Sequence, residues 1–224
     1  MGIFFDEVSR IVWHRARQHH GFCLAYRLAA LMAAAPALAM AGDLPVADAH
    51  AHAAQRASVE QVSRSLANYT VPSIDLVRED GRTVRLEDDL GGADPVVLNF
   101  VYTTCTTVCP MLSATFEELQ RRLGASGKHV RFASVSIDPE EDTPDRLREY
   151  ARHFNAGSQW HFYTGTTTAS LVVQRAFNVF RGDKMSHVPV TLLRTGPGKP
   201  WVRFDGFAST DDLLSALRDP MAVR

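Results

Sequence analysis

Cys105 and Cys109 stand four positions apart in VYTTCTTVCPML, and a helical pattern follows them at once. Thiolates are nucleophiles and soft metal ligands. A spacing of four brings both sulfurs to one side if the segment is helical, and a loop can still close them. A helix N-terminus stabilises negative charge and lowers a thiol pKa. Pro110 fits a first helical turn, where no N–H is needed. The pair therefore suits soft-metal capture, thiol-disulfide exchange or a structural disulfide. Position argues against the last, because a bridge closing so short a loop constrains the unfolded chain little.

His187 is the third chemical candidate, in MSHVPVTLL just before an apolar run. Two thiolates with one imidazole suit copper, since sulfur selects Cu(I) and nitrogen helps to hold Cu(II). Structural zinc normally takes four protein ligands, and only these three are evident. A lone histidine at a strand start also fits a satisfied core residue. Met185 is a soft donor two residues earlier, but reads more readily as an exposed or space-filling side chain. Asp138, in SIDP, fits a group behind the ligands or a turn residue equally well. His50 and His52, in DAHAH, read as solvated tail residues rather than a metal site.

These residues must be positioned by a β/α framework. VPSIDLVREDGRTVRLEDDL holds two alternating runs about Asp80-Gly81, a hairpin signal. PVVLNFVY (95–102) reads as a strand buried on both faces. Leu112, Phe116, Leu119 and Leu123 recur at helical spacing over 110–123, with Glu117 and Glu118 four residues before Arg121 and Arg122. HVRFASVSID (129–138) is a second buried strand, and Asp142-Thr143-Pro144 supplies a cap and a proline for the next helix. WHFYT (160–164) is a third strand and 168–180 a helix; PVTLLR and WVRFD form a hairpin about Gly196-Pro197-Gly198, and 210–218 a closing helix. The order, hairpin then β-α-β-α-β-α-β-β-α, predicts an α/β fold. It is a thioredoxin-like central mixed sheet flanked by helices, with an extra N-terminal β-hairpin. Ligand chemistry in such sheets belongs at the carboxyl ends of the strands.

The N-terminus reads as an address. Residues 28–41, LAALMAAAPALAMA, are apolar and uncharged, follow Arg10, Arg15, Arg17 and Arg27, and end Ala-Met-Ala. That is the grammar of a signal peptide cleaved after Ala41, with an uncleaved membrane anchor as the alternative. Cys23 precedes the apolar run and is not placed as a lipoprotein cysteine. Residues 42–66 are Ala-rich and without aromatics, as a flexible linker would be. The folded domain is expected over 67–224. The chain has 224 residues, 46% hydrophobic and 22% charged with net charge −1, which fits a globular core and excludes disorder. Without a basic excess there is no case for a nucleic-acid partner.

Spacing separates the thiol families. A thioredoxin redox site uses C-x-x-C, one residue shorter than here. A peroxiredoxin motif would need proline where Tyr102 stands. NFVYTTCTTVCPML, VRFASVSIDPEEDTP, WHFYTGT and SHVPVTLL together resemble the SCO/SenC family of copper-binding, thioredoxin-fold proteins. The likeness spans roughly residues 70–207, most of the expected domain. It implies a copper ion, Cu(I) or Cu(II), on Cys105, Cys109 and His187. It also implies work on the copper A site of cytochrome c oxidase, as a metallochaperone or as a thiol-disulfide reductase of the recipient cysteines. In the alternative, an exported oxidoreductase, Cys105 attacks and Cys109 resolves. The partners implied are a copper-accepting oxidase subunit and an exported thiol reductant, in the periplasm or at its membrane. Two features depart from or extend the pattern. Ser186 stands where many members carry Asp before the ligand histidine, and His187-Val188-Pro189 resembles the loop that carries a cis-proline in thioredoxin.

Overall fold

In the computed structural model, which describes residues 62–221, β4 (Val96–Val101) is buried along its whole length. Its side chains alternate between two cores. Val97 and Val101 face a cluster holding Phe116, Leu119, Leu147 and Leu213, whereas Val96, Leu98 and Phe100 face Leu86, Leu90, Val173 and Phe177. A strand covered on both sides needs the continuous apolar run that this segment has.

Around β4 lies one eight-stranded sheet. The other strands are β1 (Ser63–Ala67), β2 (Asp75–Arg78), β3 (Thr83–Arg85), β5 (Arg131–Ser136), β6 (Trp160–Thr164), β7 (Val190–Arg194) and β8 (Trp201–Asp205), in the order β1-β8-β7-β4-β5-β6-β2-β3. β4, β5 and β6 are parallel, and the other neighbours pair antiparallel. The helices are α1 (Leu86–Leu90), α2 (Val108–Leu123), α3 (Pro144–His153), α4 (Thr167–Ala176) and α5 (Thr210–Arg218). α2, α3 and α5 cover one face and α1 and α4 the other. The mixed sheet with helices on both faces is the thioredoxin-like α/β fold expected, with the β2–β3 hairpin added at one edge. Gly81 turns that hairpin at φ 86°, a left-handed angle that suits glycine.

Three local expectations change. Residues 63–66, inside the stretch expected to be a linker, form β1 instead, paired in register with β8 from Ser63↔Asp205 to Ala67↔Trp201. Its small and polar side chains carry no apolar alternation because one side of this edge strand faces solvent. α4 ends at Ala176 rather than near 180, because Asn178 turns left-handed at φ 53° and Val179 N–H closes the end on the Gln174 carbonyl at 2.8 Å. The cap of α3 is Thr143, whose hydroxyl accepts from Arg146 N–H, which leaves Asp142 free to turn inward. The expected signal or anchor (1–41) and most of the expected linker (42–66) lie outside the described residues. Among the described residues, no helix is long and apolar enough to cross a membrane.

Candidate thiol and metal site

The C-terminal end of β4 delivers Tyr102 and the loop that carries Cys105. α2 begins at Val108, two residues before the helix expected from the sequence, so Cys109 lies in its first turn. The helix has no side-chain N-cap and no acidic residue in that turn. Its orphan amides turn to sulfur instead. Cys109 N–H donates to Cys105 Sγ at 3.3 Å, and Thr107 N–H donates to the same atom. Tyr102 N–H donates to Cys109 Sγ, and Cys105 N–H to the Tyr102 carbonyl at 3.1 Å. The two thiols lie side by side and unbridged.

Their environments pull them apart. Burial by itself would raise the Cys105 pKa. The hydrogen bonds from the Cys109 backbone and thiol, the Thr107 backbone and the Tyr102 hydroxyl outweigh it and bring the value down to about 7. Burial raises the Cys109 thiol strongly, and the adjacent Cys105 sulfur raises it further. Burial and the Cys105 sulfur push Tyr102 up to about 12, so its hydroxyl keeps its proton and donates. Cys105 is 7% exposed and Cys109 is fully buried. The opening onto Cys105 is a cleft of about 560 Å³ between α2 and α3, bordered by Thr104, Pro110, Arg146 and Tyr150.

His187 sits in the segment that leads into β7, the strand next to β4. Ladder pairing between β4 and β7 ends at Asn99↔Thr191. One residue on, the Phe100 carbonyl receives His187 Nε2 at 3.1 Å. A carbonyl only accepts, so Nε2 carries the hydrogen, and the neutral ring keeps a lone pair on Nδ1. Burial lowers the His187 pKa, with the Arg181 charge adding to it and the Phe100 bond opposing it. The ring meets the edge of Tyr102, with centroids 6.4 Å apart. Tyr102 therefore contacts both the imidazole, through its ring, and the Cys105 sulfur, through its hydroxyl. Among the described residues, no three His, Cys, Asp or Glu side chains gather closely enough to hold a metal ion. The fold brings the two thiols together and sets His187 one side chain away; it does not close the three into a cage.

The donor set nevertheless fits copper. It offers one low-pKa thiol, a second thiol against it, and a neutral imidazole whose other nitrogen is already held by a carbonyl, the usual outer support of a ligating histidine.

Three supporting residues were not identified as such from the sequence. Asp142 is fully buried and accepts from Thr103 N–H (3.0 Å), Thr103 Oγ1 (2.6 Å) and Ser136 Oγ (2.6 Å), which ties the cysteine loop to β5. Lys184 reaches Asp138 and lies over the Tyr102 ring at 5.9 Å. Tyr102 itself touches both thiols and the histidine. The signal for Asp142 was present in DTP, a cap motif with one more polar residue than a cap needs.

Residues 63–222 match the SCO1/SenC family model. The chain is 28% identical over 168 residues to the SCO1 protein homolog of Bacillus subtilis, covering 70% of this chain and 86% of that protein. Among solved structures, the fold resembles BsSco, described as a member of the Sco family of cytochrome c oxidase assembly proteins. The TM-score is 0.59 at 27% identity, over 71% of this chain and 98% of that one. It also resembles Arabidopsis thaliana ScoI with copper bound, with TM-score 0.55 at 26% identity over 66% and 96% of the two chains.

Proposed function

The chain belongs to the SCO1/SenC family, and from that membership we propose that it binds one copper ion through Cys105, Cys109 and His187 and serves the assembly of the copper A site of cytochrome c oxidase. The observation that carries this is the His187 ring. Its Nε2–H is bound to the Phe100 carbonyl and its Nδ1 is left for a ligand, just ahead of the strand that pairs with the one ending in the thiol loop. Copper-bound ScoI and the naming of BsSco as an oxidase assembly protein support the metal and the process. The N-terminal address at 1–41 supports an exported, periplasmic or membrane-tethered location, where a thiol reductant must keep the pair open.

As a metallochaperone, the protein presents copper as cargo. Cys105 opens to the cleft and exchanges its bond for one to a recipient ligand, while Cys109 and His187 hold from the buried side. Titration of the reduced protein with Cu(I) against a competing chelator should give one equivalent bound. Cys105→Ser and Cys109→Ser should abolish it, and His187→Ala should weaken Cu(II) binding more than Cu(I). Unchanged affinity in all three would end the assignment.

The cleft beside a low-pKa thiol favours a second role for the same residues. The Cys105 thiolate attacks a partner disulfide, forming a mixed disulfide and releasing one partner thiolate. Cys109 gives up its proton, attacks Cys105 Sγ and releases the second partner sulfur. The partner gains two electrons, and Cys105–Cys109 becomes the disulfide. Full exchange activity in His187→Ala with copper binding lost would favour this role over delivery.

A further inference from the structure

The most exposed large apolar side chain among the described residues is a methionine. Met185 is 77% exposed, in the single helical turn Lys184–Ser186 that precedes His187. Two contacts on its N-terminal side fix its position. Asp183 Oδ1 accepts from Met185 N–H at 2.6 Å, and Lys184 is held by Asp138 at the end of β5. Its sulfur lies 4.0 Å from the Tyr102 hydroxyl, and that hydroxyl also bonds Cys105 Sγ. One phenol oxygen thus stands between two sulfurs, one buried and one at the surface. Tyr102 has a single hydroxyl hydrogen to share between them.

A thioether is a neutral, soft donor that prefers Cu(I) and has little use for zinc. It binds without releasing a proton, so it can engage a cuprous ion before either thiol has ionised. An exposed thioether in solvent gains nothing from packing, and its backbone anchor keeps it at the rim of the site rather than free. Met111, 53% exposed on α2, has no hydrogen bond from its sulfur to a site residue among the described residues.

We propose that the Met185 thioether is a third sulfur for cuprous ion, taking Cu(I) at the rim and handing it inward past Tyr102 to Cys105. This rests on the copper-binding role argued above. It adds an entry ligand to the same site and a selectivity for Cu(I) over harder divalent ions.

The test uses the reduced full chain with its six methionines labelled at the ε-methyl carbon, observed by NMR. Cu(I), Ag(I) as a closed-shell stand-in, and Zn(II) are each titrated alone. The Met185 methyl signal should move with the first equivalent of Cu(I) or Ag(I) and stay still with Zn(II). Met185→Leu should lower Cu(I) affinity against a competing chelator about tenfold, the low end of losses seen when metal-site support is removed. Met111→Leu should leave it unchanged. A Met185 signal that does not move, or a Met185→Leu affinity within about twofold of the parent, a difference well under 1 kcal/mol, overturns the entry role while copper binding by the thiols stands. Failure of the parent chain to bind Cu(I) at all would instead overturn the reading on which the proposal rests.

Discussion

Lys184 Nζ lies 2.5 Å from Asp138 Oδ2, joining the turn before His187 to the end of β5. The bond gives the histidine segment a second tether besides the one to Phe100. Asp138 also anchors its own turn, its N–H on Ser136 Oγ at 3.0 Å. Lys184→Met should keep the stem over the Tyr102 ring and lose the ion pair. Amide exchange in residues 183–189 should then quicken while β4 and β5 keep their protection. Unchanged exchange there would mean that the Phe100 bond alone holds the segment.

The two thiols should respond to pH as different groups. Cys105 is brought down to about 7, so its thiolate grows in as pH rises through neutrality and is largely lost below about 6. Cys109 is moved the other way and stays protonated. Alkylation of the reduced protein by iodoacetamide should show one reactive cysteine with a midpoint near pH 7, and peptide mapping should place the label on Cys105. Equal labelling of both residues in the folded protein would contradict the asymmetry.

Asp142 should show a stability signature of the opposite sense to an ordinary carboxylate. Burial raises its pKa, against the bonds from Ser136 and Thr103. A raised folded value means that the fold binds the proton more tightly than the unfolded chain. The contribution is present below the unfolded pKa and is lost as pH rises through the folded one. The difference in unfolding free energy between the parent and Asp142→Asn should therefore shift in favour of the parent as pH falls from 6 towards 4. Asp142→Ala leaves Thr103 and Ser136 without an acceptor and should cost about 2–3 kcal/mol at neutral pH. Urea melts at three pH values would decide both points.

Removing β1 should expose β8. A chain truncated to begin at Asn68 loses the five-residue pairing with β8, the Arg64 bond to the Asp219 carbonyl at 2.9 Å and the packing of Arg64 over Phe204. Its melting temperature should fall by about 5 °C relative to a chain that begins at Val62. The open edge should also promote association, visible by light scattering. Equal melting temperatures would mark β1 as dispensable.

Most of the strands and helices that build the two cores were legible from periodicity, because Val97, Val101, Phe116 and Phe132 are placed by the hydrophobic effect alone; α1 was not, since Leu86–Leu90 reads as the end of the second hairpin run and the strand stops at Arg85. β6, β8 and α5 begin and end where the pattern predicted. β1 was not legible, since an edge strand of SRSLA takes its order from backbone pairing that leaves no apolar trace. At the site, cysteine and histidine announce themselves by chemistry. The orientation of His187 does not, because its partner is the Phe100 carbonyl, and main-chain oxygens carry no letter in a sequence. Asp142 and Lys184 were hidden for a related reason. A carboxylate or ammonium beside a helix start reads as a cap or as solvated charge until the fold shows that it spans to another strand.

Cys105 completes the start of α2 by receiving the amides of Thr107 and Cys109. A sulfur bridged to Cys109 would carry no charge and offer those amides a much poorer acceptor. Bridging would therefore leave donors at the head of α2 seeking water or another oxygen, and the leading turn would have to rewind. The oxidation state of two buried atoms would thus be written in the main-chain shape at the rim of the cleft, where a visiting protein could distinguish a ready molecule from a spent one by touch.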